Sequence, residues 1–164
     1  MPFEKNKAVF LDRDGVLNRE QGNYVMHLED FIINDGVVEA LKIFQEKNYL
    51  LIVISNQGGI SKGICTKEEV DYLHLHLQRM LKNKGIILQE VYYCPHHPEN
   101  TNCICRKPDS QLLEKAMARF GIDASSSYFI GDAERDMVAG EKAGVQTIRV
   151  EVNQSLLEIT GRIV

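Results

Sequence analysis

Two aspartates flank an arginine and precede a glycine at Asp12-Arg13-Asp14-Gly15, directly after the apolar run Ala8-Val9-Phe10-Leu11. Ser55-Asn56-Gln57-Gly58-Gly59 follows a second apolar run, and Gly131-Asp132 with Asp136 follows a later one. Arg106-Lys107-Pro108 stands before a helical pattern. Each motif alone fits a turn or a helix cap. Together they suit phosphoryl transfer. Carboxylates from different strands hold a hard, oxygen-seeking cation such as Mg²⁺, which lets an anionic carboxylate approach an anionic phosphate. In that chemistry Asp12 attacks phosphorus, and Asp14 protonates the leaving oxygen and then activates water. Ser55 with the following backbone amides, and Lys107, neutralise charge on the phosphoryl oxygens.

A second constellation is Cys94-Pro95-His96-His97-Pro98 with Cys103-Ile104-Cys105. Two closely spaced ligand pairs across a short loop match a closed, tetrahedral zinc site of Cys94, His96, Cys103 and Cys105. Such a site has no open position, so its expected role is to fold the loop that delivers Arg106 and Lys107. His97 and Cys65 are the spare candidates, and Cys65, far away in sequence, reads as incidental.

Positioning these residues falls to a strand–helix alternation. Short runs rich in Val, Ile, Tyr and Phe recur at 8–11, 50–54, 91–93, 128–130 and 147–150. Continuous rather than alternating apolarity suits parallel strands buried on both faces. Helical stripes lie between them: 37–44; a long one opened by the capping-box sequence Thr66-Lys67-Glu68-Glu69 and stopped at Gly85; 112–120 before Gly121; and 134–143 before Gly144. The pattern predicts a three-layer α/β sandwich with right-handed crossovers, and the rule that such sheets act at the C-terminal ends of their strands brings the motifs together. At 164 residues one domain over 1–164 is expected. Residues after Val152 suggest only a short terminal turn or helix.

Bulk properties exclude other classes. The net charge of −4 gives no basis for a nucleic-acid or membrane partner, and no apolar run nears the roughly 20 residues of a membrane span. The polar Met1–Lys7 stretch is no signal-peptide core, so the expected compartment is the cytoplasm and the cysteines are expected reduced. A phosphoacceptor domain of the receiver type would share Asp, Ser and Lys but would keep its phosphate. Asp14 and the cysteine loop argue against it. A nucleic-acid end-processing phosphatase lacks the basic or aromatic stripe it would need.

Asp12-x-Asp14-Gly15, Ser55-Asn56, Lys107 and Gly131-Asp132-x-x-x-Asp136 resemble the four ordered motifs of the haloacid dehalogenase (HAD) superfamily of phosphatases. That resemblance implies a Rossmann-like parallel sheet of order 3-2-1-4-5. It also implies Mg²⁺ ligation by Asp12, the backbone carbonyl of Asp14, and Asp132, with Asp136 supporting the site by holding Lys107. The Cys/His loop running into Arg106-Lys107-Pro108 resembles the D-glycero-D-manno-heptose-1,7-bisphosphate 7-phosphatases, with histidinol-phosphate phosphatases related. Val16, Ser55 and Ala133 depart from residues frequent in relatives, and the loop between ligand pairs is shorter than in familiar heptose phosphatases. About forty residues separate the first two motifs, too few for a large cap domain. Specificity therefore falls to loops, with Asn18, Asn56, Gln57 and Arg106 as the expected contacts of a small phosphorylated metabolite, a sugar bisphosphate handled by a monomer. Arg106 suits a second anionic group because a guanidinium binds phosphate in bidentate fashion.

Overall fold

The computed structural model describes residues 3–164. Five parallel strands, β1 (Lys7–Leu11), β2 (Tyr49–Asn56), β3 (Leu88–Cys94), β4 (Tyr128–Gly131) and β5 (Gln146–Arg149), pair in the order β3-β2-β1-β4-β5. Four helices connect them: α1 (Val37–Glu46), α2 (Lys67–Asn83), α3 (Gln111–Phe120) and α4 (Glu134–Ala143).

Strand periodicity sends alternate residues of the central strand to opposite faces. Val9 and Leu11 join a core with Phe44 of α1 and Leu73 and Leu77 of α2. Ala8 and Phe10 join a second core with Leu113 and Ala116 of α3 and Ala139 of α4. Full burial of a side chain such as Phe10 or Phe44 is worth ~1.5–3 kcal/mol, so both faces hold the sheet. The expectation of strands covered on both faces fails for β3. Val91, Tyr92 and Tyr93 are only half-buried, because β3 is an edge strand with a neighbour on one side alone.

Helix boundaries follow local chemistry. Thr66 caps α2 with a complete capping box: Glu69 N donates to Thr66 Oγ1 (3.1 Å) and Thr66 N donates to Glu69 Oε2 (2.8 Å). Such a cap contributes about 1 kcal/mol. The last residues form a 3₁₀ helix, Leu156–Arg162, whose Leu156 and Ile159 are buried in the α1 side of the core.

Candidate active site

β1 ends at Leu11, and Asp12 N still donates to Ile130 O (3.0 Å), so the side chain of Asp12 emerges at the sheet's C-terminal edge between β1 and β4. Its Oδ1 accepts from Arg13 N (2.8 Å) and from Lys107 Nζ (2.9 Å). Oδ2 receives no hydrogen bond from the described residues, and Asp12 lines a cleft. One oxygen is thus fixed and the other is free to react. Lys107 is itself buried and triply held, by Asp12, by the Ile54 carbonyl (2.9 Å) and by Asp136, whose Oδ1 lies 2.7 Å away. Those carboxylates outweigh burial and keep the ammonium charged, its pKa above the ordinary lysine value.

Asp14 is differently placed. Arg13 donates to its Oδ1 from Nη2 (2.7 Å) and Nε (3.3 Å), Asn18 Nδ2 donates to the same oxygen (3.0 Å), and Gln57 Nε2 donates to Oδ2 (2.9 Å). Burial pushes this carboxyl up, but the Arg13 charge and these donors prevail and hold it below the usual range. Asn18 and Gln57, expected at the substrate, are here buried and spent on Asp14. Ser55 is likewise buried, its Oγ accepting from Gln57 Nε2 (2.8 Å). Asn56 faces two ways. It lines the cleft, and its amide clamps the Lys107 backbone, Nδ2 donating to Lys107 O (3.1 Å) and Oδ1 accepting from Lys107 N (3.0 Å).

The β4 exit supplies Asp132 and Asp136. Carboxylate oxygens of Asp12, Asp132 and Asp136 lie within 4.8 Å of one another. Two glycines permit that crowding. A Cβ on Gly15, whose φ is +84°, would collide with Asp132 Oδ2, and one on Gly131 would collide with Asp136. The Asp136 side chain is committed to Lys107 and to the Ala133 N–H (3.1 Å), whereas Asp132 forms no ion pair among the described residues. A set of hard oxygens with one ammonium between them suits a divalent cation such as Mg²⁺, which Asp12 and Asp132 would hold. The Asp14 carboxylate stands outside the group.

Crowding has a measurable consequence. Burial first, then the charges of Asp136 and Asp132, raise Asp12 to about 7 against the opposing pull of Lys107. The sign follows from linkage: a folded-state pKa raised from 3.8 to about 7 gives stability that is present below pH 3.8 and lost as pH rises through about 7. A cation competes with that proton. Saturating Mg²⁺ should therefore raise Tm by several degrees at about pH 8 and by less than half as much at about pH 5.5 in thermal melts, since binding only the deprotonated site is favoured as the proton leaves.

At the β3 exit Cys94, His96, Cys103 and Cys105 converge, with ligand atoms all within 4.8 Å of one another. Cys94 Sγ lies 3.0 Å from Cys105 Sγ, 3.6 Å from Cys103 Sγ and 3.5 Å from His96 Nδ1. The edge of a tetrahedron with Zn–S of about 2.3 Å is ~3.8 Å, somewhat longer than these separations, so the four atoms surround one point that a tetrahedral metal would share after a small outward shift. All four cysteines are free thiols, and Cys65 is buried outside the group. His97 is also outside it, its Nδ1 accepting from Glu99 N (3.3 Å). Gln57 N donates to Cys94 O (2.8 Å), which ties the cluster to the β2 exit.

These strand ends open on a cleft of about 750 Å³. Asp12, Asp14 and Asp132 line it with two arginines, Arg106 and Arg135, and with Tyr24, Met26 and Ile64. Arg106 reaches it with Nη1 donating to His96 O (3.1 Å). The sequence motifs assign no role to Arg135, Arg13 or His74. Arg135 lies in the first turn of α4, one helical step from the carboxylates. His74 is a polar residue among the buried Val70, Leu77 and Leu81 of α2.

The family model described as HAD-hydrolase-like matches residues 104–157. The D-glycero-beta-D-manno-heptose-1,7-bisphosphate 7-phosphatase of Haemophilus ducreyi is 42% identical over 147 residues, covering 86% of this chain and 80% of the relative. The chain belongs to the HAD-like phosphatases. A D-glycero-alpha-D-manno-heptose-1,7-bisphosphate 7-phosphatase of Photorhabdus laumondii is 36% identical to this phosphatase over 151 residues, covering 88% of it and 82% of the relative. Among solved structures, D,D-heptose 1,7-bisphosphate phosphatase from B. bronchiseptica, complexed with magnesium and phosphate, superposes with a TM-score of 0.83 at 26% identity. That match covers 93% of this chain and 86% of the other. No helix among the described residues is long and apolar enough to cross a membrane.

Proposed function

We propose that this phosphatase removes the 7-phosphate of D-glycero-D-manno-heptose 1,7-bisphosphate through a phosphorylated form of Asp12. What supports the reading is the placement of Asp12, one oxygen pinned by Lys107 and the other unbonded, on a cleft that also presents Arg106. Relatives from two organisms bear the heptose-bisphosphate name and support the substrate class.

Asp12 Oδ2 attacks phosphorus, and the bond from phosphorus to the sugar oxygen breaks. Asp14 gives that oxygen a proton; the bound phosphate's negative charge beside it raises the carboxyl's proton affinity above its resting state. Water then attacks phosphorus, Asp14 takes the water's proton, and the bond to Asp12 breaks to release phosphate. The ionised, triply supported Asp14 of the structure is the form this second step uses. Lys107 offsets the charge of Asp12 and of the phosphoryl oxygens, while Asp136 and Asn56 hold it in place. Mg²⁺ held by Asp12, Asp132 and the Asp14 carbonyl would supply further neutralisation of the transferring group. Zinc held by Cys94, His96, Cys103 and Cys105 would fix the loop and do no chemistry.

The test compares kcat/KM for both heptose bisphosphate anomers, histidinol phosphate and a simple sugar monophosphate. One bisphosphate anomer should exceed the other compounds by at least ~10-fold. Arg106→Gln should lower that value by ~10–100-fold and leave the monophosphate within ~3-fold, the loss of one charge-assisted, two-pronged contact. Preference for histidinol phosphate, or an equal loss on both substrates, would overturn the assignment.

A further inference from the structure

Behind Asp14 lies a buried chain of side chains that never reaches the cleft. Arg13, whose guanidinium is a cation by its chemistry, has no exposed surface. Its Nε and Nη2 serve Asp14, and its third nitrogen, Nη1, lies 3.1 Å from His74 Nε2. The guanidinium carbon lies over the Phe31 ring, 5.6 Å from its centre. His74, 5% exposed on α2, packs edge-on against Tyr93 at 5.1 Å. Burial, and then the Arg13 charge, push this imidazole down to about 3, so it is neutral and its Nε2 lone pair accepts from Arg13. An acceptor without charge is what this place requires. A carboxylate here would compete with Asp14 for the guanidinium, and an apolar residue would leave a buried Nη1–H with no partner.

We propose that His74 is a positioning residue for the acid–base group of the reaction, aligning Arg13 by a neutral hydrogen bond so that Arg13 fixes the orientation of Asp14. It rests on the assignment of Asp14 as acid and base made above. Because His74 touches neither the cleft nor the carboxylate trio, its loss should act on turnover and not on binding.

The experiment uses the metal-loaded full chain with three substitutions: His74→Leu, which has no acceptor, and His74→Gln and His74→Asn, whose amide oxygens accept. Steady-state kinetics with 4-nitrophenyl phosphate and with the heptose bisphosphate, below each variant's Tm, should give His74→Leu a kcat reduced ~10–100-fold at nearly unchanged KM, the signature of an interaction used in turnover alone. At least one amide variant should recover to within ~3-fold of wild type although its packing is also altered. A kcat that follows Tm across all three variants, with no recovery by an amide, overturns the proposal, as does a His74→Leu loss confined to KM. If His74→Leu does not fold, the amide variants decide alone: wild-type-like kcat in one of them supports the proposal, and a ~10-fold or greater loss in both overturns it. Wild-type protein inactive on the bisphosphate but active on 4-nitrophenyl phosphate sinks the substrate reading only, and the comparison of variants still stands.

Discussion

Asp12→Asn should reduce phosphate release by at least ~10⁴-fold, the scale on which loss of a covalent nucleophile is felt. The protein should nevertheless stay folded. Asparagine Oδ1 still accepts from Arg13 N and Lys107 Nζ, and Lys107 keeps Asp136 at 2.7 Å. Removing one of three crowded carboxylates also relieves repulsion, so in metal-free buffer Tm should lie within ~3 °C of wild type. Phosphate assays beside thermal melts check both halves. A collapse of Tm together with activity would mean that Asp12 mainly holds the structure.

The second large effect concerns the cysteine cluster. Protein purified without added metal should contain about one equivalent of zinc by elemental analysis, as a closed four-ligand site implies. Cys105→Ser should bring that below ~0.1 equivalent after dialysis, lower Tm by ~10 °C or more, and cut kcat by ~10–100-fold, because metal binding of this kind is folding energy. The activity loss follows from chain connectivity. Lys107 is two residues beyond Cys105, and once the cluster opens only Asn56 still holds its backbone. Cys65→Ser is the control: Cys65 is buried but outside the cluster, so zinc and activity should persist. Folded, fully active Cys105→Ser without zinc would contradict a structural role.

The sequence exposed the fold because its strands are continuous apolar runs and its helices carry their own stops, the Thr66 capping box being the clearest. It also marked the strand ends, since β1, β2, β3 and β4 all end at quoted motifs and the topology carries these to one edge. Two things lay beyond it. The half-buried state of β3 depends on sheet order and not on its own residues, which read like those of any interior strand. The division of polar residues between cleft and support depends on side-chain direction. Asn18 and Gln57 have the chemistry to bind a sugar, yet the backbone turns them toward Asp14. Arg13 and His74 look like a solvated residue and an incidental histidine until tertiary packing buries them against each other. Arg135 belongs to no strand end; the first turn of α4 brings it to the cleft.

The central claim is that phosphate passes through Asp12, and rapid acid quench tests it most directly. Enzyme mixed with substrate for milliseconds, quenched, digested and sequenced by mass spectrometry should carry an acyl phosphate on the peptide containing Asp12, in amounts that rise and fall with turnover. The same experiment on Asp12→Asn should show no such adduct. Phosphate released at the wild-type rate with no phosphopeptide at any time, or with the label on another residue, would contradict the account.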